Sequence, residues 1–74
     1  MAGAEVDIIA EIDGTFYPIE IKAATTVSKN DVRSINAFKE TYPQLRIAKG
    51  VVIYAGDECH HVTQDVVAVP WNLQ

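Results

Sequence analysis

Seventy-four residues, 49% hydrophobic and 22% charged, with four Gly and three Pro, describe a small folding domain or a piece of one, not a disordered tract. A chain this short buries only about 60% of its unfolded surface, so its stability margin is thin. Ten acidic against six basic side chains leave a net charge of −4, which argues against holding nucleic acid by bulk electrostatics alone.

No apolar run approaches the ~20 residues of a membrane span. The first residues, Met-Ala-Gly-Ala-Glu, have neither the basic region nor the apolar core of a secretory signal. A single cysteine, Cys59, has no internal disulfide partner and fits a reducing compartment. The expected setting is cytoplasmic, with no membrane as a partner.

Residues 5–12 alternate as a strand, with Val6, Ile8, Ala10 and Ile12 on one side and Glu5, Asp7, Ile9 and Glu11 on the other. Asp13-Gly14 follows, a pair that tolerates the positive φ angles of a type I′ hairpin turn. A second strand spans residues 15–22, where Tyr17, Ile19 and Ile21 alternate with Phe16, Pro18, Glu20 and Lys22. Pro18 has no amide donor, which predicts a partial edge or a neighbouring bulge. Ser28 is a good helix N-cap, and Asp31 three residues on resembles a capping box. Val32, Ile35, Phe38 and Tyr42 recur at helical spacing, while Lys29, Arg33, Asn36, Lys39 and Glu40 mostly fall on the wet side. Pro43 stops the pattern, so a helix is predicted over 29–41.

The run Gly50-Val-Val-Ile-Tyr-Ala is apolar without alternation and predicts a strand covered on both faces. A turn at 56–58 and two short strands near 59–62 and 66–69 complete the chain. The fold class is α/β (α+β): a mixed sheet in the order β-β-α-β-β-β with a helix packed on it.

The hairpin register carries the functional inference. With Asp13-Gly14 as a two-residue turn, Ile12 faces Thr15, Asp7 faces Glu20, and Glu5 faces Lys22. Cross-strand partners share a face with Cβ atoms about 4.5–5.5 Å apart, so these ionisable groups converge on one patch. A three-residue loop would set Asp7 against Ile21 and mix charge into the apolar face, a slip that sheets strongly resist. Two carboxylates placed opposite one another repel unless a cation lies between them, and a hard ion such as magnesium or manganese takes one or two carboxylates plus waters or phosphates. Lys22, on the same face as Glu20, is placed to stabilise negative charge on a phosphate or to orient an attacking water. The combination suits metal-assisted hydrolysis of a phosphodiester.

Asp7, twelve intervening residues and then Glu20-Ile21-Lys22 resemble the PD-(D/E)xK nuclease superfamily, with Val6 standing where that signature usually has proline. Gly3-Ala4-Glu5-Val6-Asp7, Ile19-Glu20-Ile21-Lys22, the helix and Val69-Pro70-Trp71 look like a nuclease-like domain at the C-terminus of uncharacterised bacterial and archaeal AAA-type ATPases. The resemblance implies a restriction-endonuclease-like core, Asp7 and Glu20 as ligands of Mg2+ or Mn2+, and Lys22 as the catalytic lysine. It also implies one truncated domain over 1–74, lacking the superfamily's first helix and belonging to a larger ATPase. The expected partners are nucleic acid, that ATPase domain and further copies of the chain. The alternative function is an inactive accessory or oligomerisation domain.

The bland readings stand beside these. A salt-bridged hairpin, with Lys22 neutralising Glu5 or Glu20, is worth at most ~1 kcal/mol. Cys59, His60 and His61 offer only two ligands on one strand face, where structural zinc takes about four. Lys29, Arg33, Lys39, Arg46 and Lys49 read as solvated charges before they read as a phosphate track. Phe38, Tyr42 and Trp71 read as core or interface anchors. No nucleotide fingerprint or catalytic Ser-His-Asp set is present.

Overall fold

The computed structural model describes residues 6–72. The chain begins with a hairpin of β1 (Ile8–Ile12) and β2 (Thr15–Lys22), paired antiparallel with Ile12 opposite Thr15 and Ile8 opposite Ile19. Asp13 at φ 52° and Gly14 at φ 83° make the turn, both in the left-handed region that type I′ requires. The expected register is the one found. Glu5 lies outside the described residues, and β1 starts at Ile8.

After β2 the chain crosses over the sheet. Lys29–Val32 form a 3-10 turn that leads directly into α1 (Arg33–Thr41). Asp31 organises the start: the Ser28 N–H donates to its carboxylate at 2.7 Å and the Ser28 hydroxyl at 3.2 Å, while the Asp31 N–H returns to the Ser28 carbonyl at 3.0 Å. At the other end the Tyr42 N–H still reaches Phe38, and Pro43 then prevents continuation. Val32 and Ile35 point into the sheet with no appreciable exposure. Phe38 follows them, whereas Tyr42 sits largely in water.

A two-residue strand, β3 (Arg46–Ile47), runs beside the start of β2 and was not expected from the sequence. It is followed by β4 (Gly50–Tyr54), β5 (His60–Thr63) and β6 (Val66–Pro70). The strand order is β1-β2-β4-β6-β5, with β3 alongside β2. β2, β4 and β6 are mutually parallel, and the outer strands β1 and β5 are antiparallel to their neighbours. This is the mixed α+β sheet with a packed helix that the pattern predicts.

Pro18 is buried inside the sheet, not at its edge. Phe16 directs its carbonyl to Ala48, so the backbone polar groups of Phe16 and Pro18 face the side of β3 and β4. β3 pairs with Thr15 and Phe16, and β4 pairs with Ile19 through Lys22. Proline therefore falls at the gap between two parallel partners, where no ladder bond is missed.

The core lies on the helix side. Val32 and Ile35 meet Val52 and Val66, with Val27 and Val62 packed around them. Gly50 makes room, since a Cβ there would stand 2.6 Å from the Ile35 Cγ2. The second face of the sheet carries no layer among the described residues. β4 alternates buried with half-buried residues instead of being covered on both faces, and β6 does the same.

Candidate functional site

Glu20 and Lys22 both project from β2 toward the helix, on the face shared by Phe16 and Pro18. Asp7, one residue before β1, extends the register to lie opposite Glu20, and its carboxylate accepts the Ile21 N–H at 2.9 Å. This acceptor substitutes for the next rung of the hairpin ladder. Asp7, Glu20 and Lys22 thus occupy one face at the end of the hairpin farthest from its turn, as the two-residue turn requires.

The Glu20 carboxyl is held above the usual carboxylate range. Partial burial against the helix is the main cause, opposed by the Ser34 hydroxyl that donates to it, and the neighbouring Asp7 carboxylate pushes further in the same direction as burial. Two neighbouring acids, one with a raised proton affinity, form a donor pair that a hard cation would relieve. The chemistry of the pair therefore fits magnesium or manganese, with water or phosphate oxygens completing the shell. Among the described residues no cluster of three or more acidic, histidine or cysteine side chains is gathered for a metal.

Of the two acids the sequence offered Lys22 as ion-pair partners, Glu20 is not the one it takes, and Glu5 lies outside the described residues. The Lys22 ammonium pairs with Asp31. Asp31 therefore receives the lysine as well as two groups of Ser28, and these hold its carboxyl below the usual range, with Lys22 the largest cause. The sequence placed Asp31 as a capping residue. It is half-buried and joins the helix start to β2. Ser34, three residues later on the same helical face, does the same for Glu20. The residues missed from sequence are these two. Their signal was the i, i+3 spacing of short polar side chains on the sheet-facing side of an otherwise apolar stripe.

The remaining candidates separate. Cys59 is exposed and precedes β5. His60 lies opposite Ala68 and His61 opposite Val67, on different faces, and the His60 ring stands edge-on to Tyr54 at 5.8 Å. Lys29, Arg33, Arg46 and Lys49 are exposed, with Arg33 bonded to Asn30 at 3.2 Å. Of the three aromatic anchors, only Phe38 is in the core.

Residues 1–73 match the family described as a domain of unknown function, DUF4143. The chain belongs to that family. No curated protein and no solved structure gives a significant match. As a DUF4143 domain, then, the chain has its acidic pair and lysine on the hairpin and helix contact described above. No described helix is long and apolar enough to cross a membrane.

Proposed function

We propose that this domain is a nuclease-like module of the PD-(D/E)xK type, carried by an AAA-type ATPase, whose Asp7 and Glu20 bind a divalent cation for phosphodiester chemistry on nucleic acid. The observation that carries this reading is that Asp7, just before β1, stands opposite Glu20 of β2 near enough to raise its carboxyl, with Lys22 two positions along the same face. In this reading Asp7 and Glu20 hold Mg2+ or Mn2+. Such an ion would supply a lowered water pKa and charge neutralisation at the phosphate. The Ile21 N–H orients the Asp7 carboxylate, and the Ser34 hydroxyl orients that of Glu20. Lys22 contributes a positive charge toward the phosphate once it leaves Asp31.

Manganese titration of the amide resonances tests the site. The reading expects broadening confined to Asp7, Glu20, Ile21 and Lys22, abolished in the Asp7→Asn/Glu20→Gln double variant. Absence of any localised response refutes cation binding. Cleavage of labelled DNA and RNA by the protein joined to its ATPase then tests the activity.

The engagement of Lys22 by Asp31 and of Glu20 by Ser34 supports a second reading, an inactive accessory domain in which the old site residues fasten the helix to the sheet. That reading expects no manganese response and a loss of stability when either contact is removed.

A further inference from the structure

The three parallel strands end at one edge of the sheet, β2 at Lys22, β4 at Tyr54 and β6 at Pro70. In open sheets of parallel strands this carboxyl edge is where ligands settle. An open groove of about 330 Å³ lies there, lined by Ile21, Ile53, the small Ala23 and Ala55, Lys22 and Trp71. Tyr54 completes the lining, but it is buried and its hydroxyl donates to the Glu58 carbonyl at 2.6 Å. The Lys22 ammonium is likewise engaged, by Asp31. What the groove presents to a ligand is mainly apolar and aromatic surface.

Trp71 is 69% exposed, although the sequence assigns it to a core or an interface. Its backbone is nevertheless anchored: its N–H donates to the Tyr54 carbonyl at 2.8 Å, and the Ala55 N–H to the Ala24 carbonyl at 2.8 Å joins the loops that follow β2 and β4. An indole on a fixed backbone, forming one wall of an apolar groove, suits a planar ligand. Two observations make that ligand a nucleobase. Ile21 and Lys22 belong to the groove and to the candidate site alike, for the Ile21 N–H holds the Asp7 carboxylate at 2.9 Å, and Glu20 to Lys22 spans only about 7 Å of strand. A phosphate at the carboxylate pair therefore brings its own nucleotide to the groove. The net charge of −4 also leaves the chain unable to hold a strand by its phosphates, so the affinity has to come from the bases. Stacking supplies it without regard to sequence, because every base has a π-face. Bases within a duplex have both faces covered by their neighbours, so only an unpaired base reaches the indole.

We propose that Trp71 and the groove beside it form a stacking platform for an unpaired base next to the phosphate at Asp7 and Glu20, an inference that rests on the nucleic-acid reading above and makes single-stranded nucleic acid the substrate class. Trp71 is the only tryptophan, so its emission reports stacking directly. Emission is followed at low salt in EDTA on the Asp7→Asn/Glu20→Gln variant, which removes the cation, cleavage and two nearby negative charges together. Oligothymidylate and oligouridylate, run separately to distinguish DNA from RNA, are the probes, beside an abasic strand of equal length and a blunt duplex. Saturable quenching is expected from at least one of the base-bearing single strands and from neither control. By anisotropy of the labelled strand, Trp71→Ala in the same background weakens binding by roughly 5- to 150-fold, and Trp71→Phe restores much of it. Trp71 is exposed, and unchanged far-ultraviolet circular dichroism verifies that its variants fold. No quenching by either single strand, equal quenching by the abasic strand or the duplex, or unweakened binding by Trp71→Ala overturns the proposal. Manganese broadening answers separately for the cation: broadening without quenching removes the platform alone, and quenching without broadening removes the cation site and leaves the platform.

Discussion

Asp31 is the position at which stability and site chemistry are most directly coupled. Asp31→Ala removes the acceptor for the Ser28 N–H at 2.7 Å and hydroxyl at 3.2 Å, and strands the Lys22 ammonium. The lost cap costs about 1 kcal/mol. The ion pair, whose side chains are roughly a quarter to a third exposed, adds less than about 1 kcal/mol after solvent screening. The sum of about 1.5 kcal/mol lowers the melting temperature by roughly 10 °C in a domain of this size. Asp31→Asn keeps an oxygen acceptor but loses the charge, so it costs about half as much. The pH dependence separates the two contributions. Because Lys22 and Ser28 hold the Asp31 carboxyl below its ordinary 3.8, its charge stabilises the fold above that value and ceases to do so as pH falls through the lower, folded value. Urea unfolding of wild type and Asp31→Asn should therefore show a gap at neutral pH that closes below about pH 3.8. A gap that persists unchanged into acid, or an Asp31→Ala cost below about 0.5 kcal/mol, refutes the assignment of Asp31 as the junction of helix and strand.

Glu20→Gln is expected to stabilise the protein by up to about 1 kcal/mol at neutral pH, since it ends the repulsion from Asp7 while leaving an acceptor for Ser34. The sign follows from a folded carboxyl raised above 4.5: the wild type matches the variant below that pH and falls behind as pH rises through the folded value, which urea melts at two pH values will show. Gly50→Ala should cost about 1–3 kcal/mol in chemical denaturation, because its Cβ would stand 2.6 Å from a side chain of the fully buried Ile35. Gly14→Ala meets nothing within 4 Å and incurs only the strain of a Cβ at φ 83°, a cost of about 1 kcal/mol, with the hairpin register retained in cross-strand nuclear Overhauser effects.

The hairpin was readable because local chemistry and the apolar pattern agreed. Asp13-Gly14 admits a turn that few other pairs do, and any slip would turn Ile8 and Ile19 away from their shared face. The helix bounds were readable for similar reasons, from Ser28 at one end to Pro43 at the other. What was not readable depends on contacts between segments distant in sequence. Arg46–Ile47 is too short to show a period and is a strand only because the start of β2 lies beside it. Lys22 has several acids within plausible reach, and only the crossover that sets the helix over β2 selects Asp31. Val51 and Ile53 look like core residues because hydrophobicity reports what a side chain would gain from a cover, and does not report whether one is present. The convergence of Asp7 and Glu20 followed from register alone. The raised proton affinity of Glu20 required the helix as well, since burial against it is the larger cause.

The Lys22–Asp31 and Glu20–Ser34 contacts link the crossover helix to the central strand. Any ligand that draws these two side chains to itself must take them from that linkage, so occupancy and helix docking compete for the same atoms. Amides at the helix start would then exchange with solvent faster as the ligand binds, opposite to the protection that ligands ordinarily confer. The domain would register an arriving ligand as slack at residues 29–34, on the side of the sheet opposite its apolar face.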